Sequence, residues 1–211
     1  MIRSSLVAIL TAVAIVAGCA HQPTPPEAQR IEQVQPGPLH TSGLVEFKIV
    51  DADSPSMQRL IEHVPPEVVV ERDRWASERA ARPTDDVFLS APSRADLERY
   101  VSSVPSLTLP EGREIAFGRI DNPDRWRTYI VHAEAALDET DIASAELTRD
   151  AAHDRFAALV TFTPHGAREF SDLTEKMVGQ KLAVLLDGSV VAAPVIGTKI
   201  TGGQARITFA R

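Results

Sequence analysis

The strongest local constraint in this chain lies at residues 182–193. Two apolar runs, residues 182–186 and 190–193, are joined through Asp187-Gly188. An Asp-Gly pair between hydrophobic runs favours a type I′ turn, because both central residues of that turn need positive φ. The segment therefore reads as a β-hairpin. Its runs are nearly continuous in apolar residues, so both faces of the hairpin are expected to be at least partly covered.

The flanking pattern extends this unit. Residues 158–162 form a short β-prone run. Thr163 is placed to cap a helix, and Pro164 suits its first position, where a missing N–H costs nothing. Ala167, Phe170, Leu173, Thr174, Met177 and Val178 recur at helical spacing and make one largely apolar face. Gly179 is placed to stop the helix. Gly202-Gly203 marks a second turn, and residues 204–209 alternate into a last strand. The order from 158 to 208 is thus strand, helix, strand, tight turn, strand, glycine loop, strand.

Phe162-Thr163-Pro164-His165-Gly166-Ala167 with Phe170 opens a series of motifs. Leu173-Thr174-Glu175, Gly179-Gln180-Lys181-Leu182-Ala183 and Leu185-Leu186-Asp187-Gly188 follow. Ala193-Pro194-Val195-Ile196 and Ile200-Thr201-Gly202-Gly203-Gln204-Ala205 with Ile207-Thr208 complete it. In order and spacing this stretch resembles the head of the first periplasmic domain of SecD, the accessory subunit of the bacterial Sec protein-export machinery. The resemblance implies an α+β fold: a mixed or antiparallel sheet with helices packed on one face and ferredoxin-like elements. It extends more thinly to residues 45–50, 126–131 and 137–145. Residues 113–211 are accordingly assigned to a SecD-like head domain, and residues 44–112 to an N-terminal base or insertion.

The N-terminus reads as a processing signal. Arg3 precedes an apolar stretch, residues 6–16, that is too short to span a membrane comfortably. Val16-Ala17-Gly18-Cys19 resembles the lipobox of bacterial lipoproteins. That resemblance implies cleavage of residues 1–18 and lipidation of Cys19, with fatty acyl chains such as palmitate anchoring the protein to a membrane facing the periplasm. Ala20 stands where an aspartate would resemble the inner-membrane retention signal, which favours the outer membrane. Residues 19–43 carry Pro23, Pro25, Pro26, Pro36 and Pro38 among polar residues and read as a tether.

The formal charge of the 211-residue chain is −7. Loss of residues 1–18 removes one cation, Arg3, and no acid, which takes it to −8. Nucleic acid is excluded as a natural partner on this balance. Electrostatic attraction to anionic lipid is equally unhelpful, so acyl chains must supply any attachment. With a single cysteine, no intramolecular disulfide can form.

In the first half, residues 44–50 read as a strand and residues 54–64 as a helix ended by Pro65-Pro66. Residues 67–70 read as a further strand, and the charged stretch 75–86 as a helix end or loop. Residues 94–104 read as a helix capped by Ser93. Residues 114–120 and 127–132 read as strands around a turn at 121–124. Residues 146–149 are expected to pair with 158–161 across a loop at 150–156.

Chemistry-bearing motifs are sparse. Asp150, His153 and Asp154 form the one local His/carboxylate cluster and read as a solvated hairpin tip, since a working site needs supporting partners around it. His165 reads as a surface residue and Asp187 as a turn residue. No nucleophile elbow, zinc-protease motif, Walker loop or dinucleotide fingerprint is present. The expectation is therefore no enzyme, no cofactor and no metal. The resemblance implies contact with unfolded exported polypeptide, the Sec machinery or another envelope protein. An envelope hydrolase using His153 and a purely architectural lipoprotein stand as the alternatives.

Overall fold

The computed structural model describes residues 44–76, 83–105, 107–120, 124–150 and 155–209. Cys19, the tether, the turn at 121–123, and His153 and Asp154 lie outside them. Strand β1 (Val45–Ile49) leads through a single helical turn, α1 (Ser56–Leu60), into β2 (Val69–Trp75) and β3 (Thr84–Ala91). Helix α2 (Arg94–Ser103), β4 (Arg113–Ile120), β5 (Arg125–His132) and the short β6 (Leu137–Asp138) follow. After a 3-10 turn at Glu139–Asp141 come β7 (Ile142–Asp150), β8 (Arg155–Phe162), α3 (Pro164–Lys176), β9 (Leu182–Leu186), β10 (Ser189–Ala192) and β11 (Gln204–Thr208).

These elements make an α+β fold with two sheets. One has the order β2-β3-β5-β4-β10-β9-β1-β6, and the other β11-β8-β7. Every pairing is antiparallel except β10 with β4. Strands from residues 44–112 and from residues 113–209 share the larger sheet, with β1 inserted between β9 and β6. Val50 bridges Val131, and the Asp51 N–H donates to the Ile130 carbonyl at 2.8 Å. This joins β1 back to β5, so β5-β4-β10-β9-β1 curls round into a small closed arc. Its interior holds Val50, Ala116, Tyr129, Val131, Leu185 and Val190.

Strand alternation sends neighbouring residues to opposite sides of this arc. On β9, Ala183 and Leu185 point inward, while Leu182 and Val184 face an outer core. That outer core is built on Phe47, Phe162 and Phe170, whose ring centroids lie 4.5 to 5.9 Å apart. It fills the space between the larger sheet, α3 and the three-stranded sheet. Such aromatic clusters add to plain area burial through edge-to-face and offset contacts. A second outer core packs α1 and α2 on β3 and β5 through Leu60, Leu89, Leu97 and Ile130. The Tyr100 hydroxyl donates to the Leu60 carbonyl at 2.7 Å and ties α2 to α1.

The reading of residues 75–86 as a helix end or loop is corrected. Trp75 ends β2 and Thr84 starts β3, and the two strands pair from Val69↔Ser90 to Trp75↔Thr84. Their charges hide the strand pattern because several are paired within the fold instead of solvated. Asp73 and Asp86 stand directly opposite each other. Like charges in that position repel, but Lys181 donates to both, at 2.6 and 2.7 Å. Arg127 donates to Asp86 at 2.8 Å. Its guanidinium lies between the Phe88 and Tyr129 rings, 3.5 and 4.2 Å from their centroids. Helix α1 is also shorter than the 54–64 reading, with residues 61–63 in a turn before Pro65-Pro66. Strands β7 and β8 run longer than read, with register Glu146↔Leu159 and Leu147↔Ala158.

Candidate functional site

The edge of β11 that has no strand neighbour among the described residues is the candidate site, and a chain of local constraints delivers it. Thr163 caps α3, its hydroxyl accepting from the Gly166 N–H at 3.1 Å, with Pro164 at the first helical position. Gly166 sits against the 3-10 turn: a Cβ there would lie 2.3 Å from the Asp141 carbonyl oxygen. The Thr163 N–H donates to that same oxygen at 2.8 Å. Further along α3, Thr174 is fully buried, and its hydroxyl accepts from the Ile200 N–H at 3.0 Å. Gly179, at φ 88°, ends the turn after the helix, and its N–H donates to the Ile196 carbonyl at 2.7 Å. The connection from β10 to β11 is therefore fastened at two points, to α3 at Thr174 and to the turn after it at Gly179.

The β9–β10 turn has Asp187 at φ 49° and Gly188 at φ 71°. Asp187 has a second task, because its carboxylate accepts from the Leu44 N–H at 3.1 Å and holds the start of β1. At the second glycine pair Gly203 alone takes positive φ, 64°. The Gly203 carbonyl accepts from the Phe162 N–H at 3.0 Å. By the alternation of an antiparallel ladder, Ala205 and Ile207 then bond to β8. Gln204 and Thr208 turn their backbone groups towards the other edge.

No described strand lies on that edge. Beside it runs a groove of about 410 Å³, walled by residues 206–209 on one side and residues 190–194 on the other. The end of β4, at Arg119 and Ile120, closes it, and Tyr129 reaches it from within the arc. Burial pushes the Tyr129 phenol above its ordinary pKa, against a smaller opposing pull from Arg127, so the hydroxyl is neutral at physiological pH. An adjoining apolar cleft of about 170 Å³ shares Val191, Ile207 and Phe209 and continues to Val45, Ile142 and Val184. It is smaller than the pockets that enclose drug-sized ligands. Its size suits an apolar side chain.

Strands β9 and β10 each have two strand neighbours. They offer no edge, although the sequence motifs crowd there. The Asp86–Lys181–Arg127 network is the other feature that sequence reading missed. The Lys181 side chain is 5% exposed, and the Trp75 indole N–H donates to the Gly179 carbonyl at 2.8 Å beside it. Lys181 falls inside the quoted motif, so an isolated lysine before an apolar strand was the available signal. His165 lies exposed in the first turn of α3. Among the described residues no group of His, Cys, Asp and Glu side chains is arranged to hold a metal ion, and no helix is long and apolar enough to cross a membrane.

Residues 115–210 match the protein family described as SecDF, P1 head subdomain. The protein translocase subunit SecDF of Thermus thermophilus is 54% identical over 48 residues, covering 23% of this chain and 6% of that protein. The SecD subunit of Acetobacter pasteurianus is 37% identical over 87 residues, covering 41% of this chain and 17% of the relative. That of Endomicrobium trichonymphae is 28% identical over 130 residues, covering 61% and 26%. This chain thus spans a quarter or less of the length of these translocase subunits, taken in round terms. A solved structure described as a membrane component SecDF that enhances protein export aligns with a TM-score of 0.35 at 22% identity, covering 78% of this chain and 85% of that one. Over residues 115–210 the chain is thus similar to the head domain of the SecD family.

Proposed function

We propose that this protein is a lipid-anchored envelope accessory of protein export, and that its head binds extended polypeptide by adding it as a strand to β11. The observation that carries the reading is the unpaired edge of β11 beside an apolar cleft of side-chain size. An exposed edge supplies backbone hydrogen bonds to any sequence, and a neighbouring pocket takes alternate side chains. The similarity of residues 115–210 to the SecD head supports export as the setting, with unfolded secretory chains or the Sec machinery as partners. Cleavage before Cys19, with acyl chains on it, would hold the head at the periplasmic side of a membrane, the outer one by the Ala20 criterion. Residues 19–43 would serve as its tether. Affinity is expected to be about micromolar or weaker, because an unfolded client loses conformational entropy when ordered. The function is binding without catalysis.

The test is crosslinking in cells from a photoreactive residue at Thr208, with the same probe at Glu67 as control. Crosslinks to unfolded secretory precursors from Thr208 alone support the reading. A hydrolytic activity of the purified chain that is lost in His153→Ala would overturn it in favour of the hydrolase alternative. Cys19→Ser is expected to release the protein into the soluble periplasmic fraction. Unchanged attachment, with no added mass at Cys19, contradicts the anchor.

A further inference from the structure

We infer that the Tyr129 hydroxyl anchors a guest strand from the side away from β11, by donating to one of its backbone carbonyls. This rests on the strand-addition reading and adds a second contact to it. Tyr129 is 7% exposed, and it sits in the interior of the arc with Val131, Leu185 and Val190. Among the described residues its hydroxyl has no hydrogen-bond partner. The buried side-chain polar atom that is sealed from solvent without a partner, among the same residues, is the Ser54 hydroxyl. The Tyr129 oxygen is not sealed in that way, and the space that Tyr129 lines is the groove. A phenylalanine would fill the same volume without the cost of drying a hydroxyl that has nothing to bond. The ring is also held in place. Arg127, itself fixed by Asp86, stacks on it at 4.2 Å from the centroid. On Gly118, a Cβ would stand 3.1 Å from the Tyr129 Cε2 atom. The donor is thus positioned in advance of any guest.

Strand geometry supplies the acceptor. A guest paired to β11 spends the backbone groups of alternate residues on that ladder, and those of the residues between point to its other edge. The wall on that side is residues 190–194. Pro194 has no N–H to give, and its carbonyl already accepts from the Leu182 N–H at 3.0 Å. The Tyr129 hydroxyl is a donor on this side, and it is neutral. It therefore serves a backbone carbonyl whatever the side chains around it, which suits a site that takes extended chains of many sequences.

The experiment titrates the purified full chain and its Tyr129→Phe variant with a labelled ten-residue peptide of alternating apolar and polar residues. A second set of peptides replaces one backbone amide at a time by an ester, whose carbonyl is a poorer acceptor. The variant is expected to bind the all-amide peptide about fivefold more weakly, the scale of one neutral hydrogen bond. Its melting temperature should equal or exceed that of the natural protein, because the hydroxyl has no partner to lose in the absence of a guest. At one ester position the natural protein should lose affinity and the variant should not, the coupling that marks a direct contact. Equal affinity of the two proteins for the all-amide peptide overturns the inference while leaving strand addition intact. So does a variant that melts lower than the natural protein, and so does a scan in which no ester position couples to Tyr129. Failure of the natural protein to bind any of the peptides overturns strand addition itself, and the inference with it.

Discussion

At the scale of residues, the least legible feature is the set of charges buried between β2, β3, β5 and the start of β9. The side chains of Asp86, Arg127 and Lys181 are each about 5% exposed. Removing ions from water is costly, and loss of one partner leaves the others unsatisfied. Asp86→Ala is therefore expected to destabilise the domain by about 3–5 kcal/mol, measured by denaturant unfolding. Asp85→Ala, next along the chain, removes only an exposed pair with Arg74 and should hardly move the transition. Equal effects would mean that the network carries no structural load. Nothing in residues 71–86 announces this difference. Asp85 and Asp86 look identical in sequence, and the partners of Asp86 come from strands far along the chain. Gly166 is similar: it stands within a motif, but the reason for glycine is a backbone contact with Asp141 that only the folded chain creates.

At the scale of elements, local chemistry was readable wherever a turn or cap depends on its own residues. Helix α3 begins at Pro164 behind the Thr163 cap, and Phe170 and Met177 on its apolar face are buried. The Asp187-Gly188 turn was readable for the same reason. Gly188 and Gly197 both have open space where a Cβ would go, but only Gly188 has positive φ. Gly188→Val should therefore lower stability by at least about 1–2 kcal/mol relative to Gly197→Val, the cost of a side chain in the left-handed region. At this chain length that is roughly 2–8 °C in Tm. Equal melting temperatures would contradict the turn geometry. The part of β2 beyond Val70 and the start of β3 were not readable, because Glu71, Asp73 and Asp86 lie on the face that a solvated loop would also show as charged. Their alternation answers to Lys181 and Arg127 more than to an apolar core.

At the scale of the whole molecule, the α+β class followed from the 158–208 pattern, but the assembly did not. Closure of β1 onto β5 through Val50 and Val131 joins residues that no local pattern connects. The placement of β11 on a separate three-stranded sheet was also invisible, and it decides which edge is open. Motifs crowd onto β9 and β10, yet both are interior, so a peptide adding as a strand must go elsewhere. Three long edges compete for that role: β11, β2 and β7, the last being the other edge of the three-stranded sheet. Strand β11 is flanked by the groove and apolar cleft. Strand β2 carries Arg72, Asp73 and Arg74, all exposed, which is the charged blunting that discourages pairing. Backbone amide exchange of the full chain, with and without a saturating unfolded secretory precursor, separates the three directly. Slowed exchange confined to Gln204–Thr208, with Val69–Trp75 and Ile142–Asp150 unchanged and a folded control protein without effect, is the predicted result. Protection at β2 or β7 instead, or none on any of these edges while the precursor is bound, would contradict strand addition at β11.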